Sequence, residues 1–240
     1  YGMPAKMKEI GALSERYGIP IIEDAAEALG SSIEGKACGS FGTFGILSFN
    51  GNKIITTSGG GALQSEDEAA IAKARFLATQ AKDTAPHYEH STVGYNYRMS
   101  NIAAAIGVGQ LQVIEDRVAA RRANYRFYED LFKNVDGVQF LEEPQGFLSN
   151  RWLSCVLLEQ SKNKKLDPEH FRLHLEQDNI ESRPLWKPMH MQPLYKDAAY
   201  FGGAVAQELF QKGLCLPSGS NLTDQDKEQI QRSIEAFLNS

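Results

Sequence analysis

The feature that most constrains the fold is a helical pattern that stops at a glycine and continues at once as a strand. Apolar residues recur at helical spacing after Pro4, which we expect in the first helical turn, and the pattern ends at Gly18. Residues 19–24, IPIIED, then form a short β-branched run that ends in acids, as in a buried parallel strand. We therefore predict an α/β fold. Ligands of open α/β sheets bind beyond the carboxyl ends of the strands, where Asp24 is expected.

Strand and helix patterns continue to alternate along the first half of the chain. Ser100 suits the N-cap of a helix. We predict strands at residues 43–49 and 60–65, a helix at 66–80, a polar loop at 82–100, and one long helix from Asn101 into the 130s.

The character of the sequence changes after about residue 135. Short strands are predicted at residues 137–144 and 152–159. Asp167 followed by Pro168 is typical of a helix start, and Thr223 is expected to cap the last helix. We therefore predict two domains, with a partial large domain at 1–130 that has a mostly parallel sheet and ends in the long helix, and a smaller α+β domain at 131–240.

The bulk composition argues against several functional classes. A formal net charge of -5 disfavours a nucleic-acid surface, which usually needs a basic face. Three widely spaced cysteines offer neither a disulfide framework nor zinc-ligand spacing, so we expect reduced thiols in a cytoplasmic protein and no metal site. No apolar run approaches the roughly 18 residues that a membrane-spanning helix needs.

A lysine stands in an unusual place within residues 48–61, SFNGNKIITTSGGG. A loop lysine is ordinarily a solvated surface residue, but Lys53 follows a strand that ends at Ser48, and glycines surround it. A partly desolvated lysine amine can form a Schiff base with an aldehyde, as in pyridoxal phosphate (PLP) enzymes. Such enzymes also need a carboxylate at the pyridine nitrogen, and Asp24 is the candidate. The alternative for Asp24 is a turn cap at a strand end.

Four segments of the sequence carry a resemblance to a known family. In chain order they are IIEDAAEALGS, FGILSFNGNKIITTSGGG, GYNYRMSN and RPLWKPMH. Together, and in this order, they resemble the DegT/DnrJ/StrS family of PLP-dependent nucleotide-sugar aminotransferases, which have PLP-transferase fold type I (aspartate-aminotransferase-like).

The resemblance implies roles for five residues. Lys53 matches the lysine that forms the Schiff base and moves the proton, and Asp24 matches the carboxylate at the pyridine nitrogen. Ser48 matches a hydroxyl at the cofactor phosphate. Asn96 matches an asparagine that reaches the phosphate of a neighbouring subunit, which implies a homodimer. Glu27 occupies a position where many members carry Gln, and a hydrogen bond to the cofactor is expected there.

The resemblance also implies a reaction. Dehydratase relatives carry histidine in place of the lysine, so Lys53 favours amino transfer from glutamate to a nucleotide-linked keto sugar. The most similar branch aminates C4 of UDP-linked 4-keto-6-deoxy-N-acetyl sugars for surface polysaccharides or glycans. The alternatives are an aminotransferase for an amino-cyclitol or another amino sugar, a non-catalytic regulator with this fold, and a nucleotide-sugar binding module without PLP.

Cationic side chains in two segments are candidates for the sugar diphosphate, because cations pair with phosphate oxygens. The alternatives are ordinary loop residues in the first segment and a proline-stiffened connection in the second. The candidates are His87, His90 and Arg98 in the first segment, and Arg183, Lys187 and His190 in the second.

The start of the sequence carries a further expectation. The chain begins at Tyr1 rather than Met, within what reads as the middle of an α/β repeat. Full family members carry a large region ahead of this point, including a residue that stacks on the PLP ring. We therefore expect an N-terminally truncated chain, or a separate N-terminal fragment as a partner, and weak PLP binding where nothing supplies that region.

Overall fold

A computed structural model describes residues 1–239 of the chain. The described chain packs into two units. The first, which we call the lysine unit, comprises Gly2–Ala119 and Glu143–Trp152. The second, which we call the C-terminal unit, comprises Tyr1, Ala120–Glu142 and the residues from Leu153 onward. The domain boundary at residue 130 stays a prediction.

The helices and strands follow one another with short connections, apart from the longer segments at residues 49–60, 79–100 and 185–204. In chain order they are α1 (Met7–Tyr17), β1 (Ile22–Asp24), β2 (Ser32–Ile33), β3 (Lys36–Ala37), β4 (Phe44–Ser48), β5 (Gly61–Gln64), α2 (Glu68–Ala78), α3 (Asn101–Leu111), α4 (Ile114–Phe132), β6 (Val138–Phe140), β7 (Phe147–Leu148), β8 (Ser154–Leu158), α5 (Pro168–Gln177), β9 (Arg183–Pro184), α6 (Val205–Lys212), β10 (Gly213–Leu216) and α7 (Asp224–Asn239). Two 3-10 turns lie at Met189–Met191 and Pro193–Tyr195.

The lysine unit contains a three-stranded sheet in the order β1-β4-β5, in which β1 and β4 are parallel and β5 is antiparallel to β4. A smaller antiparallel sheet has the order β3-β2-β7. Helix α1 ends as predicted at Gly18, which has a left-handed φ of 64°. The predicted helix start at Pro4 is wrong, since α1 begins at Met7.

The long helix predicted from Asn101 is two helices, α3 and α4. Ser100 caps α3 as predicted, because its side chain accepts the Ala103 N–H. At the end of α3 the Val113 N–H donates to Gln110 O, three residues back, instead of four. This tightening of the last turn separates α3 from α4.

The C-terminal unit is built on an antiparallel sheet in the order β6-β8-β10-β9. Helix α5 begins as predicted, with the Asp167 carboxylate accepting the His170 N–H and Pro168 at the first position. Apolar side chains from α4, α5, α7, β8 and β10 form its core, which includes Tyr128, Phe132, Val156, Leu158, Phe171, Leu175, Leu214, Leu216, Ile234 and Phe237.

Residues 1–239 lack two features. No helix there combines the length and the apolar character that crossing a membrane would need. No group of three or more His, Cys, Asp or Glu side chains in that range is placed to hold a metal ion.

Candidate active site

The strand register sorts the two neighbouring acids of β1 onto opposite faces of the sheet. Glu23 is in register with Gly45 of β4, and Asp24 with Ile46. Because side chains alternate along a strand, Asp24, Ile46 and Ser48 share one face, and Glu23 points to the other. The predicted Asp24 and Ser48 therefore lie on one face at the carboxyl ends of adjacent strands.

Glu23 has a structural role on its own face. It is buried, and its two carboxylate oxygens accept the backbone N–H groups of Gly39, at 2.6 Å, and Phe41, at 2.9 Å. The loop passes so close to the sheet that a Cβ on Gly45 would lie 1.7 Å from Gly39 O. Burial, together with the Glu23 carboxylate, raises the pKa of the Cys38 thiol to about 12.

Asp24 differs from Glu23 in being exposed. Its Oδ1 accepts the Ala26 N–H at 3.1 Å, which is the local turn contact considered as an alternative role. A carboxylate has two oxygens and about four acceptor positions, so this bond leaves capacity for a ligand. Asp24 therefore combines a turn contact with an accessible carboxylate at the strand ends.

Lys53 lies in the loop that joins β4 to β5, and backbone bonds close this loop at several levels. Phe49 N–H donates to Gly60 O at 3.1 Å, and Thr57 N–H donates to Phe49 O at 2.9 Å. Lys53 N–H donates to Asn50 O at 3.1 Å, which forms a turn through Gly51. The lysine backbone is thus fixed by the strand that positions Ser48.

The Lys53 side chain is held between a carboxylate and an aromatic ring. Its Nζ lies 3.2 Å from Glu27 Oε1 and 4.6 Å from the centre of the Trp152 ring. Only 13% of the Lys53 side chain is exposed, against 32% for Glu27. Both contacts orient the Lys53 amine. A loop lysine with this little exposure is not an ordinary solvated residue.

Trp152 is itself held by a buried polar network that sequence reasoning missed. Its ring N–H donates to Asn52 O at 2.7 Å, and its backbone N–H donates to Asn150 Oδ1 at 2.8 Å. The Asn150 side-chain amide donates to Glu27 O at 2.9 Å and Leu29 O at 2.8 Å. Asn150 therefore supports both groups that contact Lys53. No motif or spacing in the sequence links it to residue 53, which is about a hundred positions away.

The glycine run at residues 59–61 does not present three equivalent ligand-facing positions. A Cβ on Gly60 would lie 2.7 Å from the Met99 side chain, and one on Gly61 would lie 2.5 Å from Leu47 O. A Cβ on Gly59 would meet no atom within 4 Å among residues 1–239. Gly60 and Gly61 thus allow close packing within the protein, and Gly59 is the open position.

Asn96 lies in the long loop after α2, and its backbone is well held. Tyr95 N–H donates to Leu77 O at 2.7 Å, and Tyr97 N–H donates to Ala78 O at 3.0 Å. The Tyr95 and Tyr97 rings stack, with centres 5.0 Å apart. Asn96 itself is exposed. Within residues 1–239, Glu27 and Trp152 contact the Lys53 amine, and Asn96 does not.

The candidates in the loop at 82–100 are exposed and partly engaged. His87 Nε2 lies 3.0 Å from Glu89 Oε2, and His90 Nδ1 lies 2.9 Å from Gln80 O. Arg98 is exposed. Two of the three side chains thus contact loop partners, and a role toward a sugar diphosphate stays a prediction for all three.

The remaining candidates lie in the C-terminal unit. Arg183, on β9, donates from Nε to Glu181 Oε1 at 2.7 Å. Lys187 O accepts the Gln192 side-chain amide at 3.3 Å, and the His190 ring lies 4.1 Å from the Tyr200 ring. These residues occupy a strand and the following 3-10 turn region, and their role stays a prediction.

Comparisons with known proteins identify the family of the chain. The sequence model of the DegT/DnrJ/EryC1/StrS aminotransferase family matches residues 1–235. The chain is 51% identical over 242 residues to EpsN from Bacillus subtilis (strain 168), which is provisionally named as a pyridoxal phosphate-dependent aminotransferase. The alignment covers 99% of this chain and 61% of EpsN. It is 34% identical over 238 residues to GDP-perosamine synthase from Escherichia coli O157:H7, with 99% of this chain and 63% of that relative covered.

A solved structure gives the same result for the fold. The aminotransferase TlmJ from Streptoalloteichus hindustanus matches with a TM-score of 0.90 and 28% identity, over 100% of this chain and 64% of TlmJ. This match confirms the predicted fold class, PLP-transferase fold type I. The chain spans about three fifths of the length of the curated relatives it matches.

Proposed function

The chain belongs to the DegT/DnrJ/EryC1/StrS aminotransferase family, and from that premise we propose that it carries the catalytic lysine of a PLP-dependent aminotransferase. The proposed reaction moves an amino group from glutamate to a nucleotide-linked 4-keto-6-deoxy sugar. The observation that carries the proposal is the Lys53 amine, with 13% of its side chain exposed, held between Glu27 and Trp152 beside the strand ends.

The residues present suit the chemistry of the cofactor. PLP has an aldehyde, a ring nitrogen and a phosphate, which call for an amine, a carboxylate and hydroxyl or N–H donors. Lys53 would hold the aldehyde, Asp24 the ring nitrogen and Ser48 the phosphate. Asp24 and Ser48 share a sheet face by register, which supports this assignment. When bound, PLP supplies an electron sink for the reacting carbon.

Each side chain of the site has a task in amino transfer. Lys53 Nζ moves the proton between the substrate carbon and the cofactor, first as base and then as acid. Glu27 Oε1 accepts a hydrogen bond from the Lys53 amine at 3.2 Å and orients it. Trp152 packs over the amine and excludes water from that side. Asp24 keeps the ring nitrogen protonated.

The nucleotide and the sugar are proposed from the resemblance and from the names of the relatives. A UDP-linked N-acetyl sugar rests on the resemblance of the Lys53 region. The 34% relative is named a GDP-perosamine synthase, so a GDP-linked sugar is the matched comparison. Turnover of UDP- and GDP-linked 4-keto-6-deoxy sugars, with glutamate as donor, would distinguish the two by product mass.

Cationic groups such as Arg98 and Arg183 are proposed to contact the diphosphate. We also propose that the protein acts in the cytoplasm.

The test of the proposed function begins with absorbance spectra of the protein after addition of PLP. We expect a new visible band, and borohydride reduction should leave a phosphopyridoxyl group on Lys53, located by peptide mass analysis. Lys53→Arg should abolish both, since the guanidinium does not condense with the aldehyde. Lys36→Arg is the matched control, because Lys36 is an exposed lysine of the same unit.

The experiment should be run on this chain and on a chain extended to the full length typical of the relatives. Loss of the band on addition of glutamate supports the donor half of the reaction. A phosphopyridoxyl group on another lysine, or none in the extended chain, would overturn the assignment of Lys53. A band that glutamate leaves unchanged would instead favour the non-catalytic alternative.

We further propose that the protein acts as a homodimer in which Asn96 completes the site of the neighbouring subunit. Asn96 is exposed on a firmly held backbone. Helix α3 nearby in sequence exposes 78% of Ile102 and 61% of Val108, which supports a covered surface in an assembly.

Subunit complementation tests this arrangement. Lys53→Ala and Asn96→Ala variants should each be inactive alone, yet their mixture should regain activity, because a mixed dimer contains one intact site. A Lys53→Ala/Asn96→Ala double variant mixed with the wild type should give no such gain over dilution. Absence of recovery, when subunit exchange is verified by mass, would show that Asn96 does not act across subunits.

A further inference from the structure

Two of the three cysteines face each other across the sheet of the C-terminal unit. Cys155 of β8 and Cys215 of β10 are directly opposed in the antiparallel register. Their Sγ atoms are 3.8 Å apart, although the two residues are 60 positions apart in the sequence. The predicted absence of a disulfide framework, drawn from spacing along the chain, did not anticipate this pair.

The pair lies on the face of the sheet that is turned away from the core. Val156 and Leu158 of β8 and Leu214 and Leu216 of β10 belong to the buried cluster. Since side chains alternate along strands, the cysteines between them point to the other face. Cys155 is partly exposed there, whereas Cys215 is only 6% exposed.

We propose that Cys155 and Cys215 form a thiol–disulfide exchange site that closes reversibly to a disulfide between β8 and β10. A disulfide needs the sulfur atoms at about 2.05 Å and the Cβ atoms about 3.5–4.5 Å apart. Directly opposed residues of antiparallel strands have Cβ atoms about 4.5–5.5 Å apart. The two ranges meet, so rotation of the side chains with a small approach of the strands suffices.

The chemistry balances with a small disulfide, such as oxidised glutathione, as oxidant. The Cys155 thiolate attacks one glutathione sulfur, which forms a mixed disulfide and releases one glutathione thiolate. The Cys215 thiolate then attacks the Cys155 sulfur and releases the second glutathione. Two protein thiols are oxidised by two electrons, and one small disulfide is reduced to two thiols, which take up the protons.

Exposure assigns the order of the two cysteines. Cys155 is the more accessible sulfur and therefore meets the oxidant, and Cys215, in contact behind it, resolves the mixed disulfide. Cys38 provides an internal control within the same chain. It is buried in the lysine unit with a pKa raised to about 12, so it offers almost no thiolate near neutral pH.

The test uses the folded chain, incubated with oxidised glutathione and then analysed by intact and peptide mass. We expect the wild type to lose two hydrogens, with peptides containing Cys155 and Cys215 linked, and reduction to reverse this. Cys215→Ser should instead hold one glutathionyl group on Cys155, because nothing resolves it. Cys155→Ser should remain unmodified under the same conditions, and Cys38→Ser should behave as the wild type.

Three results would overturn the proposal. A wild-type chain that keeps a stable glutathionyl group would show that the strands do not let the sulfurs meet. A link that includes Cys38 would show oxidation of an unfolded chain. Complete inertness of the wild type, when circular dichroism shows it folded and denaturation exposes three alkylatable thiols, would show that the pair is closed to oxidants.

Discussion

Asn150→Ala tests whether the buried network behind Lys53 holds the lysine unit together. Asn150 is 0% exposed and makes three side-chain hydrogen bonds, at 2.8 to 2.9 Å, to the backbone at Glu27, Leu29 and Trp152. Alanine removes all three bonds and leaves two carbonyl oxygens and one N–H without those partners. Each buried group left unsatisfied costs about 1–3 kcal/mol.

We expect a loss of stability near the lower end of the sum of these three costs, because the space left by the amide admits a water that can restore some hydrogen bonds. The free energy of unfolding should therefore fall by about 3–5 kcal/mol, the sum of three such losses. Asn150→Asp should also destabilise the unit. It keeps the acceptor for Trp152 N–H but places an oxygen against two carbonyl oxygens. Asn50→Ala is the matched control in the same unit, since the Asn50 side chain makes one exposed hydrogen bond, to Asn52 Oδ1 at 3.5 Å.

The assay is urea unfolding followed by tryptophan fluorescence. The sequence has two tryptophans, so a Trp186→Phe background leaves Trp152 as the reporter of its own unit. A loss of less than about 1 kcal/mol for Asn150→Ala, equal to the control, would refute the reasoning, because the three bonds would then contribute no more than an exposed one.

Three further predictions concern single groups. Tyr128→Phe should lower the free energy of unfolding by about 1 kcal/mol in urea, because it removes the hydrogen bond that Tyr128 OH donates to Pro217 O. Hydrogen bonds from Thr223 lower the pKa of Asp226, so this group stabilises the folded state above its unfolded pKa and loses that effect as the pH falls through its folded pKa. Asp226→Asn should accordingly flatten the acid limb of a stability-against-pH curve, and an unchanged limb would contradict this. Gly18→Ala should cost about 1 kcal/mol in thermal unfolding, because its φ of 64° is left-handed, although the site has room for a methyl group.

Much of the fold follows from local signals that act within a few residues. The glycine stop at Gly18, the N-cap at Ser100 and the Asp167–Pro168 helix start satisfy backbone groups next to them, and each prediction is confirmed. Two predictions were wrong. Helix α1 starts later than predicted, and the single long helix predicted from Asn101 is divided into α3 and α4. Pro4 permits a helix start without requiring one, and the break depends on a local change of hydrogen bonding after Gln110 that composition does not signal.

The positions of some candidate site residues follow from the sequence for the same reason. Lys53, Ser48 and Asp24 are close to strand ends, and strand ends can be recognised from a short stretch of sequence. Trp152 and Asn150 reach Lys53 only through folding, and neither stands in a motif with it. Trp152 contacts Lys53 through its ring, and Asn150 and Trp152 are held by hydrogen bonds to backbone atoms. Such contacts leave no periodic pattern or fixed spacing in the sequence.

Because Glu23 and Asp24 point to opposite faces of the sheet, the role of each depends on its exact position along β1. One residue inserted into or deleted from this three-residue strand would turn Glu23 toward the face that carries Ser48, and Asp24 toward the Gly39 loop. Substitution of either acid damages one task, whereas a shift of one position damages both. Length changes should therefore be tolerated before Ile22, in the turn after Gly18, and excluded between Ile22 and the end of β1, even if every side chain is kept.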